Sequence, residues 1–395
     1  MKVFLVATEE SGDRLGAALM NALRARHGDG VVFRGVGGFE MAAAGLPSLF
    51  RIDDLAIVGF AAIPSRLPLI LSRIRQTARA ALAERPDVMV IIDSPDFTHR
   101  VARRVRRANP SIPIVDYVSP SVWAWRPGRA RAMRRYIDHV LGLLPFEPEV
   151  HRRLGGPPCT YVGHPLVEQV DELRPDATEA ARRASAPPIL LVLPGSRKGE
   201  IKRLIEPFER TVERIAKTVW PLDIVIPTTS HLADTVLRAT AHWPLRPRIA
   251  VKREERRAAF RTARAALAKS GTVTLELAIA GVPMVTAYKV SRLEAAIARR
   301  LIRVPSAILA NLVLGENVVP EFIQQDCTPD KLSAALLPLF ADGPARSRQL
   351  DAFRKLDAIM QIGKAEPADH AAEIVLETAR RGRTPGTGVA GRVTN

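Results

Sequence analysis

Five short runs rich in Val, Ile and Leu, at residues 3–7, 31–36, 88–92, 112–118 and 140–144, recur through the first half of the chain with Arg- and Ala-rich stretches of helical length between them. That rhythm admits few folds. Strands that read as nearly continuous apolar runs are buried on both faces, and strands joined through helices lie parallel. A second series follows at 189–193, 222–226, 248–251, 265–268 and 284–287. The chain has 395 residues, more than one core of ordinary size accommodates. The sequence therefore predicts an α/β protein with two Rossmann-like parallel-sheet domains, residues 1–168 and 188–365, joined by a Pro-, Ala- and charge-rich linker at 169–187. Open parallel sheets bind ligands beyond the carboxyl ends of their strands, so the expected site is a central cleft that the two sheets face. Residues 305–320 read as a loop, and three helical patterns follow between 330 and 381. The last, 366–381, is expected to return to the first domain, with 382–395 as a flexible tail.

Composition narrows the function classes. The two cysteines, Cys159 and Cys327, are far apart with no paired-ligand spacing, which argues against a disulfide framework or a zinc site and fits a reducing cytoplasm. The amino-terminal residues run into an acidic turn at Glu9-Glu10 and read as a core strand rather than a signal peptide. No apolar run is long enough to span a bilayer. A formal charge of +17 implies anionic partners. Nucleic acid is not expected, because aromatic residues are only 5% and no known binding signature appears. An anionic membrane surface is a candidate through residues 57–79, where Phe60, Leu67 and Leu71 stand among arginines in the pattern of a basic amphipathic helix. A helix packed on its own sheet fits that pattern equally.

The chemistry-bearing residues cluster after strands. Ser270, Gly271 and Thr272 turn the chain into a helix whose first N–H groups, on Thr272 to Thr274, are expected to be free for a diphosphate. Glu276, on the same helical face as Thr272, offers an acceptor for ribose hydroxyls. An ordinary capped helix start explains the same residues. In Pro194-Gly195-Ser196-Arg197, Ser196 suits a cap and Arg197 a diphosphate. Strand 88–92 ends in Asp93-Ser94-Pro95-Asp96, which places two carboxylates at a strand mouth. Asp93 is the candidate general base and Asp96 either a second catalytic carboxylate or a helix cap. Glu9 and Ser11 sit after the first strand, where a sugar could meet them, and Gly35 to Gly38 form a turn that a ligand could approach closely. Trp123, Trp125 and Arg126 suit an amphipathic ligand with sugar, phosphate and acyl parts, although core packing accounts for either ring alone. His164 is as readily a core or loop histidine as a catalytic one.

Taken in order from about residue 3 to residue 365, these stretches resemble the lipid-A-disaccharide synthase family, most specifically in Ser-Val-Trp-Ala-Trp-Arg at 121–126 and Leu-Pro-Phe-Glu at 144–147. The resemblance implies a GT-B glycosyltransferase on the cytoplasmic face of the inner membrane. Its substrates would be UDP-diacylglucosamine and diacylglucosamine 1-phosphate, and its products a β-1,6-linked disaccharide and UDP. It implies Asp93 as base, Arg197 and the Ser270–Thr272 turn on the diphosphate, and Glu276 on the ribose. Asn311 and Gln324 would lie near the nucleotide, Glu9 and Ser11 would face the acceptor, and no cofactor or metal would be required. A homodimer is allowed. The chain departs from the family pattern at Thr8 and Glu10, where Gly and Ala are usual, and at Ala310, where Pro is usual. Two rival readings share part of this pattern: another UDP-N-acetylglucosamine-using GT-B enzyme, either an epimerase or a peptidoglycan glycosyltransferase, and a non-catalytic basic protein that binds lipid or nucleic acid.

Overall fold

Apolar runs uninterrupted on either face become the inner strands. A computed structural model describes residues 1–28, 30–55, 63–291, 294, 306–361 and 366–382. The chain divides into two units, one made of Met1–Pro165 together with the final helix Pro367–Arg381, the other beginning at Leu166.

The first unit holds a six-stranded parallel sheet of order β2-β1-β3-β4-β5-β6, with β1 Lys2–Ala7, β2 Val32–Val36, β3 Val88–Ile92, β4 Ile114–Tyr117, β5 His139–Gly142 and β6 Cys159–Tyr161. Alternation along β1 supplies both of its cores. Val3, Leu5 and Ala7 pack with Leu19 and Leu23 of the helix Glu10–His27 and with Ala371 and Val375 of Pro367–Arg381. Phe4 and Val6 belong to the opposite core, with Ile74 and Ala78 of the helix Ile63–Glu84 and Val101 and Val105 of Pro95–Ala108. Each large side chain so buried contributes roughly 1.5–3 kcal/mol. The close pairing of β1 and β2 requires a glycine at 35 (φ +139), where a Cβ would stand 1.8 Å from the Leu5 carbonyl oxygen.

The second unit repeats the plan with order β12-β11-β10-β7-β8-β9, again parallel: β7 Ile189–Leu193, β8 Asp223–Pro227, β9 Arg248–Ala250, β10 Ala265–Lys269, β11 Met284–Tyr288 and β12 Glu321–Ile323. Leu190, Val192, Leu267 and Val285 form its core with Ile201, Leu204 and Phe208 of the helix Lys198–Ala216 and Leu332 and Leu336 of Pro329–Leu336.

The segment read as a linker carries two short helices, Val170–Leu173 and Ala177–Ala184, the second opened by a reciprocal capping box between Asp176 and Glu179. Arg183 ties it to the second unit by donating to the carbonyls of Phe260, Arg261, Ala280 and Gly281. The stretch 305–320, expected to be a loop, contains the helix Leu309–Leu314, which ends at Gly315 in the left-handed conformation. Six residues are too few to display a helical period. No described helix is long and apolar enough to cross a membrane.

Candidate active site

In the first sheet the chain leaves β1 toward β2 and leaves β3 toward β4, on opposite sides. The carboxyl ends of β1 and β3 therefore flank a topological switch point, where open α/β sheets leave a crevice. Glu9 and Ser11 follow β1; Asp93 and Ser94 follow β3. Asp93 (φ +53) and Ser94 (φ +45) both adopt the left-handed conformation, and so does Val118 (φ +82) at the end of β4. Such geometry costs on the order of 1–3 kcal/mol per residue and concentrates at functional sites.

The strained turn aims donors at one carboxylate. Ser94 N–H donates to Asp93 Oδ1 at 2.7 Å, and Ser11 Oγ lies 3.4 Å from Oδ2. Ser94 Oγ donates to Glu9 Oε1 at 2.8 Å, and Thr98 Oγ1 to the Asp93 carbonyl at 2.6 Å. Burial pushes the Asp93 carboxyl above the usual carboxylate range, with repulsion from Glu9 and Asp116 adding to it, against the hydrogen bonds from Ser94 and Ser11. A half-buried carboxylate so raised is a stronger base than a solvated one. Asp96 does not join this network: its side chain is 86% exposed and 3.7 Å from Arg129. Nor does it cap the helix, whose N-cap is Ser94. The left-handed turn has already placed the N-cap at Ser94, so the helix starts at Pro95.

Beneath Asp93 lies a network that the motifs did not announce. Asp116 on β4, 1% exposed, pairs with His99 Nε2 at 3.2 Å; His99 Nδ1 meets the Tyr136 hydroxyl at 3.1 Å, and Arg103 donates to the same hydroxyl at 2.9 Å. The signal was present: Asp116 is the one charged residue within an otherwise apolar strand run.

The glycine turn after β2 is held from within the protein. Gly38, Glu40 and Met41 donate their N–H groups to the buried Asp13 carboxylate at 2.7, 2.9 and 3.1 Å. A Cβ on Gly38 would sit 2.7 Å from Asp13 Oδ2. The tryptophans separate. Trp123, partly buried, packs edge-on against Phe146 at 5.5 Å and against the cluster of Val122, Ala130 and Val150. Trp125 is 38% exposed, with Arg126 stacked 4.3 Å from its ring centroid and Arg129 at 5.9 Å. Glu147, buried behind them, accepts from Leu144 N–H at 2.9 Å, and burial pushes its carboxyl up to about 7. Burial pushes the His164 imidazole down to about 4, so it is neutral at physiological pH.

The second sheet has its switch point between β7 and β10. After β7, Gly195 (φ +124) turns the chain, Ser196 N–H donates to Glu200 Oε2 at 3.0 Å, and Arg197 extends outward with its side chain 81% exposed. Ser196 does not cap: Arg197 holds the N-cap position, and Glu200 supplies the acceptor from inside the helix. After β10, Ser270 is buried and donates its hydroxyl to the Ala307 carbonyl at 2.8 Å. The expectation of free N–H groups from Thr272 to Thr274 fails at Thr274, whose N–H donates to Gly271 O at 3.1 Å because the chain enters the helix Val273–Ile279 through a tight turn. Glu276 lies one turn in, 3.5 Å from Arg257; burial raises its carboxyl, and Arg257 and Arg256 oppose the shift.

Two further expected donor-site residues make hydrogen bonds to loop backbone. Asn311, 2% exposed, accepts from Val318 and Val319 N–H at 3.1 and 2.9 Å and donates to the Val319 carbonyl at 2.9 Å. Gln324 brackets Val290, accepting from its N–H at 2.9 Å and donating to its carbonyl at 3.3 Å.

A family model described as lipid-A-disaccharide synthetase matches residues 3–375. Two similar proteins, each called lipid-A-disaccharide synthase, come from Nitrobacter hamburgensis (62% identical over 384 residues, covering 97% of both chains) and Bradyrhizobium diazoefficiens (61% over 382 residues, again 97% of both). The chain belongs to the lipid-A-disaccharide synthase family. Its fold is shared with MurG from Acinetobacter baumannii (16% identical, TM-score 0.57, covering 95% of this chain and 99% of that one). It is likewise shared with a putative UDP-N-acetylglucosamine 2-epimerase from Listeria monocytogenes (13%, TM-score 0.57, 96% and 95%). As a lipid-A-disaccharide synthase family member with two Rossmann-like domains of the GT-B class, the chain is a glycosyltransferase. In it, charged and polar side chains gather at the strained Asp93 turn and at the β7–β10 switch point. Of the basic amphipathic stretch, Phe60 lies outside the described residues. Leu67 and Leu69 are 43% and 40% exposed, Leu71 is half-buried, and Ile74 is in the core.

Proposed function

We propose that this glycosyltransferase joins UDP-2,3-diacylglucosamine to the 6-hydroxyl of 2,3-diacylglucosamine 1-phosphate, giving the β-1,6-linked disaccharide 1-phosphate and UDP. The observation that carries the mechanism is the Asp93 carboxylate, held by Ser94 and Ser11 in a left-handed turn and made more basic by burial. Asp93 takes the proton of the acceptor hydroxyl as its oxygen bonds to the anomeric carbon. The bond from that carbon to the diphosphate breaks, and UDP leaves. One displacement converts an α-linked donor into a β-linked product, so a single base suffices. Arg197 and the Ser196 turn meet the diphosphate, and Glu276 the ribose hydroxyls. The exposed Trp125–Arg126 pair suits the acceptor's phosphate and sugar.

The test is incubation of the purified protein with both lipids in mixed micelles. UDP and disaccharide are expected to appear in equal amounts, with little turnover of deacylated UDP-glucosamine. Conversion of UDP-N-acetylglucosamine without an acceptor would favour an epimerase.

Both substrates carry acyl chains, and the exposed Leu67 and Leu69 on a helix bearing Arg75 and Arg79 suit an anionic membrane surface. Replacing Leu67 and Leu71 with serine is expected to reduce sedimentation with phosphatidylglycerol vesicles several-fold while leaving UDP affinity unchanged. Equal loss of both would assign the helix to the core.

A further inference from the structure

At the carboxyl ends of β7, β10 and β11, three groups from separate elements converge. Lys269 ends β10 with its side chain only 17% exposed, its ammonium 3.2 Å from Glu200 Oε1 and 5.1 Å from the centroid of the Tyr288 ring at the end of β11. Glu200, 12% exposed, accepts the Ser196 N–H through its other oxygen and lies 3.5 Å from Arg197. Gly195 permits this: a Cβ there would stand 2.5 Å from Glu200 Oε2. The ammonium also overhangs the turn after β10, since a Cβ on Gly271 would lie 3.4 Å from Nζ.

Two cations thus share one carboxylate at the switch point of this sheet, and the surplus is positive. A neighbouring pair, Arg203 with Glu294 at 3.5 Å, is balanced and does not change that count. A nearly buried cation is held in place before any ligand arrives, so ordering it costs little on binding. Arg197 is largely solvated and must be ordered.

We propose that Lys269 is a further binding residue for the diphosphate of the sugar nucleotide, with Glu200 as the positioning residue that holds its ammonium between the Ser196 and Gly271 turns. The inference rests on the donor reading above. A nucleoside diphosphate, and not a nucleoside, supplies the anion that the surplus charge calls for.

Isothermal titration with UDP and with uridine tests it on the full chain. Lys269→Met, which keeps the packing of the stem, is expected to weaken UDP binding about tenfold or more and to leave uridine binding unchanged, with Lys269→Arg recovering most of the loss. Glu200→Gln is expected to weaken UDP less than Lys269→Met does. Unchanged UDP affinity in Lys269→Met, or equal losses for UDP and uridine, would overturn the assignment. Arg197→Ala separates the two layers: a loss of UDP affinity there, with none in Lys269→Met, leaves the donor reading standing and removes Lys269 from it. Absence of UDP binding to the unaltered protein removes both.

Discussion

Asp93→Asn lowers turnover by about 10²–10⁴-fold and leaves UDP affinity unchanged, the range expected when a positioned general base is removed. The asparagine keeps the shape of the side chain and an oxygen for the Ser94 N–H, so the turn persists while the proton acceptor is gone. The pH profile carries the same signature. Asp93 works ionised, and its carboxyl is raised above the usual range by burial and by Glu9, so the rate falls as pH drops through a value above the ordinary aspartate 3.8. Stability moves the other way. A carboxyl whose folded-state pKa is raised binds its proton more tightly folded than unfolded, so its contribution is present at low pH and lost as pH rises through the folded value. At neutral pH the Asn variant is therefore expected to be at least as stable as the parent in urea. Near-normal turnover would exclude Asp93 as base, and lost turnover accompanied by lost stability would make it an architectural residue.

The opposite pattern is expected of Asp13→Ala. Asp13 stands in a Ser-Gly-Asp stretch that invites a catalytic interpretation, but its carboxylate is 4% exposed and fully engaged with three backbone N–H groups. Removing it strands those donors where β2 meets the helix Phe39–Ala43, and charge-assisted hydrogen bonds of this kind are each worth about 1.5–3 kcal/mol. A loss of at least about 3 kcal/mol in urea denaturation follows, with activity per folded molecule preserved. Lost activity at unchanged stability would place Asp13 in the reaction instead.

What the sequence revealed depended on where the determining contacts lie. The inner strands were legible because nearly all their residues are apolar on both faces, as with β3, where all five residues are buried. The edge strands β6 and β12 are three residues long and only partly buried, and neither carries the apolar run that marks an inner strand. The motif residues after β1 and β3 meet at the first switch point, because strand order rather than chain distance brings them together. The hydrogen bonds that hold the turns leave no mark in the motifs. Asn311 and Gln324 satisfy loop backbone whose course no residue type declares, and the Asp13 carboxylate binds the glycine turn from within. The left-handed Asp93–Ser94 pair was hidden for a related reason: neither residue is glycine, and the conformation is imposed by the hydrogen bonds from Ser94 to Asp93 and Glu9. Asp116 and His99 pair from strand to helix, with only the lone charge in an apolar run to mark them.

A crystal structure of the UDP complex is the most direct measurement. The diphosphate is expected beyond the carboxyl ends of β7 and β10, within hydrogen-bond reach of Arg197, with the ribose hydroxyls on Glu276. UDP lodged away from both residues, with Glu276 still paired only to Arg257, would contradict the assignment of the nucleotide to the second sheet.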